Sequence, residues 1–588
     1  MRLSPTLFHR RRAGFALLIT MVFLAIMLAA YASLMYWTTT NSKITKRNNL
    51  FNQAQAAAES ATESVLATMM RDFNNQALNS ASTYAAAGNL PSQSGWPVSY
   101  LFSDTNGNAN STTVIPIGSI GWSALPARYN GLFGSGQDWV IASTASPTNA
   151  GENLSATINQ TVWFGFIPIF QFAIFYNMDL EINPGDTFNV NGKVHSNNNI
   201  YATGNGSGTP LTFSDLVEYA GSYSSTRSPL DPSTRSGNVI FTMSSNNPAK
   251  GSSLSLPVGT NNNPATVISI LGIPPAGLDP ISPSGQSFIF NQSDIVITNS
   301  STGVISVYYQ NFNLTPSQIL IPKDATNVVS GVTNISYSFA TNTTFYDYRE
   351  AKTVKSVDLD VNKFSIWLTN ATGGATRNSQ NLTGITAKGH PINGVYVYNN
   401  GAGSGQLPAV RVVNGQQLPP GGLSVATPFP LYVKGNYNTT TNGSKFSLTL
   451  GDTTNTYPAA LMGDALTVLS QNYVDTATSS GSTRTPISTT VNAACLEGIV
   501  PSDGTHYSGG VENFLRLLEN WSGNTLTYNG SIVVLFQSQY ATSFWGNSSY
   551  YSPPTRKWGF DLNFKQQSKL PPMTPQVRAT IRKVWATK

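Results

Sequence analysis

From Phe15 to Trp37 the chain carries no charged residue, and this run constrains the fold more than any other feature. A helix rising about 1.5 Å per residue crosses a hydrocarbon core of about 30 Å over such a length, so the run is predicted to be a single membrane-spanning helix. Arg2, Arg10, Arg11 and Arg12 precede it with no acid among them, which favours a cytoplasmic N-terminus. Lys43, Lys46 and Arg47 on the far side weaken that bias. A cleaved secretory signal is the alternative, because Ala30-Tyr31-Ala32 has the form that signal peptidase cuts after. Leu34, Met35, Tyr36 and Trp37, however, prolong the run past the point where such a signal turns polar.

The helical pattern does not stop with the apolar run. Between Ile44 and Phe73 there is no Gly or Pro, and Leu50, Ala54, Ala57, Ala61, Val65, Met69 and Phe73 recur at steps of three or four, the period of one helical face. One rod over 15–75 is therefore predicted. Its small residues, with Ala56, Ala57 and Ala58 consecutive, allow close approach of other helices. Ile19, Leu50, Ala54, Ala57, Ala61 and Val65 become candidates for packing between neighbouring helices. The same periodicity also fits a helix lying on its own domain.

Composition narrows the function. A chain of 588 residues needs several cores. Only 10% of it is charged against 40% hydrophobic, and the difference is filled by Asn, Ser, Thr and Gly, a mixture that reads as β-rich with many turns. Net charge is +6, yet Lys and Arg are thinly spread beyond the first 12 residues, so no basic stripe tracks a nucleic acid backbone. The single cysteine, Cys495, excludes an internal disulfide framework. His9, His195, His390 and His506 form no paired ligand motif, and no cofactor is expected.

Arg12-Ala13-Gly14-Phe15-Ala16-Leu17-Leu18, the apolar span and Gln53-Ala54-Gln55-Ala56-Ala57-Ala58-Glu59-Ser60-Ala61 together resemble the N-terminus of the type IV pilin superfamily. The nearest types are the PilX-like minor pilins and the general secretion pathway protein K type of pseudopilin. The resemblance implies a leader over 1–14, cleavage by prepilin peptidase after Gly14 and methylation of the new N-terminal Phe15. It further implies an inner-membrane, single-pass protein whose body lies in the periplasm or on the cell surface, with other pilin-like subunits as partners. Major pilins carry a glutamate at the fifth mature position, where this chain has Ile19. Without an anionic partner for a buried terminal ammonium, a tip or initiating role in a type IV pilus or type II secretion pseudopilus fits better than a repeating subunit.

The remainder divides into a small β-rich unit over 76–160, a large β-rich body over 161–475 and a C-terminal region over 476–588. Thr113–Ile117 and Trp139–Ala142 alternate as strands do. Val162–Tyr176 is too short and too interrupted, by Gly165, Pro168 and Gln171, to span a membrane, and reads as a strand pair around a turn. Residues 179–206 set short alternating β-formers between Asn and Gly, as stacked rungs of a parallel β-helix would. A β-sandwich is the alternative, since no fixed-length repeat is present. This stretch, with Phe345–Glu350, Leu423–Thr427 and Gly463–Ser470, resembles the β-rich passenger region of pilin-like exported bacterial proteins, which implies a cellular location and no activity. Near the end, Val511, Phe514, Leu515 and Leu518 suggest a short amphipathic helix closed by Gly523. Tyr528–Phe536 suggests a hairpin turn and strand, and a final helix is expected after Pro571, Pro572 and Pro575. A small α/β cap results.

Chemistry is sparse. A membrane-tethered or Sec-secreted β-helical enzyme acting on polysaccharide is the rival function, and it needs paired carboxylates or a carboxylate-held cation. The dense candidates are Asp347, Arg349 and Glu350, then Asp358 and Asp360 with Lys352 and Lys355. Alternation puts Asp358 and Asp360 on one strand face, where they either bind a cation or are simply solvated. Asp179 and Glu181 alternate likewise. No GxSxG, HExxH or P-loop motif is present, so a non-enzymatic protein is expected. A surface glycan or another cell is the ligand suggested for its body, on the strength of the many Asn, Ser, Thr, Tyr and Trp residues.

Overall fold

The computed structural model describes residues 13–587 except 76–77, 127–128, 130, 149–152, 244–246, 259–260, 314, 330–331, 370–389, 444, 477–483 and 547–549. The chain divides into two compact units. Residues 1–119, 137–164 and 580–588 form the first and residues 120–136 and 165–579 the second, so the C-terminal segment belongs with the helix-bearing unit. Residues on both sides of 475 lie in the second unit, as do residues 120–136.

In the first unit a single helix, α1, runs from Ala13 to Asn75. No Gly or Pro interrupts it after Gly14, and residues 15–37 are long-chain or small apolar types that propagate a helix. Thr20 and Thr39 donate their hydroxyls to the carbonyls of Leu17 and Met35, at 2.8 and 2.7 Å, so these polar groups are satisfied within the helix. The distal half of α1 is covered: Ala54, Ala57, Ala58 and Ala61 pack with Tyr100, Phe102, Ala145, Ala156 and Ile158. Those partners come from a sheet ordered Tyr100–Ser103, Phe133–Pro147, Ala156–Pro168 and Gln576–Thr587, with Thr113–Ala124 paired to the second of these strands. Alanines let the helix backbone sit close to the sheet, and Phe73 closes the contact edge-to-face on Phe164, with ring centroids 5.4 Å apart.

The second unit is a coil of parallel ladders. Ile174–Tyr176, Val194–Ser196, Val217–Tyr219 and Ala249–Lys250 stack in parallel register on one face. Leu180–Ile182, Ile200–Ala202 and Tyr223–Ser224 stack on a second. Phe188–Val190, Gly206–Phe213 and Gly237–Phe241 stack on a third. Each turn of chain lays one strand on each face. The first-face strands start at 174, 194, 217 and 249, and this uneven spacing is why no repeat length is visible in the sequence. Later turns continue the pattern. Gly394–Asn399, Leu423–Ala426, Ala459–Met462, Ala494–Ile499 and Ile532–Gln537 stack in that order, while Leu407–Val413, Leu431–Lys434, Leu466–Leu469 and Arg516–Leu517 form the neighbouring face. Parallel ladders exclude the antiparallel sandwich. Antiparallel pairing within the body is confined to hairpins such as Ile295–Asn299 with Ile305–Gln310.

The rungs are not stacked in chain order. Ile174–Tyr176, the first strand of the coil, pairs in parallel with Ile532–Gln537, the last of the later series, so Ile532 lies beside Ile174. The chain thus enters its coil in the middle of the stack. At one corner of the later turns Asn438, Asn492 and Asn529 lie buried one above another. Asn492 Nδ2 donates to the carbonyls of Asn438 and Ser447 at 3.0 and 2.8 Å, and Asn529 Nδ2 donates to Asn492 Oδ1 at 2.9 Å. Each side chain satisfies backbone carbonyls that a corner would otherwise strand. Gly422 shows how tight the stacking is: its φ is +89°, and a Cβ there would lie 1.9 Å from the Pro458 carbonyl oxygen.

Three expectations for the C-terminal region fail. Gly510–Trp521 is not a helix: it holds a 3-10 turn, Val511–Asn513, and a strand, Arg516–Leu517. The helical stripe there is coincidental, because Arg516, Leu517, Leu518 and Glu519 are all buried, which suits a covered rung and not an amphipathic helix with a solvent face. No final helix follows the prolines. Gln576–Thr587 is a strand, its Val577, Ala579 and Ile581 alternating inward. There is consequently no α/β cap; Thr489–Asn492, Thr525–Gly530 and Thr555–Phe560 are further stacked strands. Thr525–Gly530 and Ile532–Gln537 also turn a corner between two faces and do not pair as a hairpin. Likewise Val162–Tyr176 does form strand, turn and strand, but its two strands join different sheets.

Candidate functional site

The N-terminal features lie on the bare part of α1. Gly14 and Phe15 sit in its first turn, and most of the leader, with Arg2, Arg10, Arg11 and Arg12, falls outside the described residues. Phe15 is 69% exposed and Ile19 40%, and residues 15–38 are exposed throughout. Among the described residues this is the one helix long and apolar enough to cross a bilayer. The other helix-packing candidates, Leu50, Ala54, Ala57, Ala61 and Val65, are buried within the protein, and the sheet of the first unit packs on Ala54, Ala57 and Ala61. Ile19 lies on the exposed part of the helix. Polar residues beside this stripe are also engaged: Glu63 accepts from Arg582 at 2.6 and 2.7 Å and from Gln160 at 2.8 Å. Partial burial pushes the Glu63 carboxyl up, but these donors outweigh it and leave the group below its ordinary range.

Asp358 and Asp360 are both engaged by protein donors, Asp358 in the interior and Asp360 at a partly exposed position. Asp358 is buried and accepts from Arg411 Nη2 at 2.6 Å and from Nε at 3.1 Å, with the Thr343 hydroxyl donating at 2.6 Å. Arg411 reaches Asp475 as well, at 2.6 and 2.8 Å, and lies 4.8 Å from the Phe345 ring centroid. Burial works against the Arg411 charge, yet the two carboxylates hold its pKa above the usual value, and Arg411 in turn holds Asp475 below the carboxylate range. Asp360 accepts the Lys363 N–H at 3.0 Å at the start of the helix Val361–Thr369 and accepts from Asn414 at 2.9 Å. Alternation did put both acids on one strand. What it could not show was Arg411, brought opposite Asp358 by the ladder of Lys352–Asp360 with Leu407–Val413. No group of three or more His, Cys, Asp or Glu side chains is arranged to hold a metal among the described residues.

The body carries a partly open cavity of about 600 Å³, at the level where the first strand of the coil meets the last. Tyr176 and Glu181 come from the first turn of the coil, Glu497 from the strand Ala494–Ile499, Ser502 and Ser508 from the loop after it, and Arg349 from the corner beyond Ala340–Asp347. Glu181 accepts the hydroxyls of Ser502 and Ser508 at 2.6 and 2.8 Å. Burial raises its carboxyl pKa in spite of those donors. Glu497, fully buried, is raised well above the ordinary value by burial, against the opposing pull of Arg516 and the Leu466 N–H that it accepts. Nearby Glu512 is pushed up to about 7 by burial. Arg235 stands 3.9 Å from Glu512 with a third of its side chain in solvent, too loose a pair to offset that burial. Tyr176 is also raised, by burial and by the three glutamates around it. The sequence flagged Arg349, Asp179 and Glu181 as isolated pairs. Tyr176, Glu497 and Arg516 were missed, Tyr176 within an apolar strand stretch and Arg516 within a stretch read as a helix, because only the stacking of distant turns gathers them.

No family model matches the chain, and no curated protein matches it. Among solved structures the competence-associated pilin ComZ from Thermus thermophilus is similar over 92% of this chain and 98% of its own, at 9% sequence identity and a TM-score of 0.25. A superposition at that score carries no argument about fold or role.

Proposed function

We propose that this is a pilin-like exported protein, anchored in the inner membrane by α1 and entering a type IV pilus or type II secretion pseudopilus as a minor, tip or initiating component. One observation carries the reading: α1 is a single unbroken helix whose apolar first half is bare while the sheet of its own unit covers the second. A bare apolar rod of that length needs lipid or other helices around it. Gly14 and Phe15 at its start match the processing site of the superfamily that the sequence resembles. Ile19, exposed and uncharged, leaves a terminal amine without the anionic partner a repeating subunit supplies. The coil is then the part displayed outside the membrane, available for surface binding.

Mass spectrometry of the mature N-terminus tests this. Methylated Phe15 is the expected first residue. A chain starting at Ser33 or an intact Met1 would sink the proposal, the first in favour of secretion and the second in favour of a plain anchor.

A further inference from the structure

Arg349 is not accounted for by the fold around it. The residue is 8% exposed, and among the described residues its Nε has no hydrogen-bond partner and its Nη2 meets the Ser543 carbonyl alone, at 3.4 Å. Leaving a buried donor unpaired is unfavourable, and more so on a charged group. Close by, Arg516 donates to Glu350 at 2.9 Å and to the Ala541 carbonyl at 2.8 Å, and the second oxygen of Glu350 accepts the Ser543 N–H at 3.1 Å. Asp347 accepts the backbone N–H of Arg349 at 2.8 Å, and burial raises the Glu497 carboxyl well above its ordinary value. Burial and the charge of Arg516 pull Arg349 down only to about 10, so it is cationic at neutral pH. Arg349 therefore presents a cationic guanidinium with an unpartnered Nε on the wall of the 600 Å³ cavity.

The geometry points to this cavity as a binding site for a carboxylate-bearing saccharide, a uronic acid unit whose carboxylate is received by Arg349. A planar guanidinium with a free edge matches a carboxylate through two parallel hydrogen bonds, which also fix the orientation of the ligand. The rest of the wall suits sugar hydroxyls. Ser502 and Ser508 are pre-oriented by Glu181, and the amides of Asn177 and Asn198 line the same space. A cavity of this size lies within the range of small-ligand sites, which are concave and carry few, well-placed polar groups. The site is independent of how the N-terminal helix is processed.

Calorimetric titration of the full-length protein in detergent with trigalacturonate, with a neutral galactose trimer and with inorganic phosphate tests the inference. Trigalacturonate is expected to bind at least tenfold more tightly than either comparator, and Arg349→Lys, which keeps the charge but loses the fork, to weaken it tenfold or more with the melting temperature unchanged. If that variant fails to fold, Ser508→Ala serves in its place, with a weakening of several-fold expected. Equal affinity for the two trimers, phosphate bound as tightly as the uronate, no binding of any of the three, or unchanged affinity in a folded Arg349→Lys would overturn the assignment. So would cleavage of the trimer, which would make the site catalytic. An unprocessed N-terminus together with uronate binding would sink the pilus reading alone, and methylated Phe15 without uronate binding would sink this one alone.

Discussion

The helix-bearing unit and the coil are held together by opposite means. In the first, alanines on α1 meet aromatic and aliphatic side chains of a sheet, and the charged contacts lie at the surface, as in the Arg582–Glu63 pair, 57% and 36% exposed. In the coil, polar side chains are drawn inside: Asp358 with Arg411, the asparagine stack, and glutamates whose carboxyl pKa burial raises. A polar group buried in the coil has lost water and must find its partner inside the fold.

That contrast can be broken in several places. Arg411→Met strands Asp358 and is expected to cost about 3–5 kcal/mol, read as a large drop in the denaturation midpoint of the full chain; a change below about 1 kcal/mol would mean the pair is not buried as described. The second test is pH. Glu512 is raised in the fold above its unfolded value, so the folded state binds the extra proton, and its contribution is fully present below about pH 4.5 and lost as pH rises through about 7. Stability of the coil is expected to fall across that window, by about 3 kcal/mol for this group. Glu512→Gln, which mimics the protonated acid, flattens the slope by that amount, and an unchanged slope would refute it.

Asn492→Ala removes the middle of the asparagine stack and leaves the carbonyls of Asn438 and Ser447 without their donor, at about 1–3 kcal/mol. On the helix, Ala61→Leu overpacks a fully covered site and costs about 1–3 kcal/mol, while Ala25→Leu on the bare half leaves the melting temperature where it was. Equal effects from the two would erase the distinction between the halves of α1. Smallest of all, Arg582→Ala breaks only an exposed pair and is expected to cost below about 1 kcal/mol, with whatever effect it has fading as salt is added.

Legibility differed between regions for a local reason. In 179–206, Leu180 with Ile182 and Phe188 with Val190 alternate, and each pair proved to be a strand. Around Gly510 the reading failed, because a covered rung buries Arg516 and Glu519 as fully as Leu517 and so shows no alternation to detect. Gln576–Thr587 was misread although Val577, Ala579 and Ile581 do alternate; the nearby prolines drew attention to a helix start instead. At the candidate cavity, Glu181 and Arg349 were visible as residues but not as neighbours, since 168 positions separate Glu181 from Arg349 in the sequence.

By itself the amino-acid order determined the long helix, the bareness of its apolar half and the β character of the rest, because periods of 3.6 and 2 are written in adjacent residues. Tertiary structure alone decided that the coil is entered in mid-stack, that Ile174 lies beside Ile532, that Arg411 faces Asp358, and that Arg349 is left with an open edge. Such pairings depend on which ladder offers free backbone groups and a matching apolar face, and that is settled between segments hundreds of residues apart, beyond the reach of any local pattern.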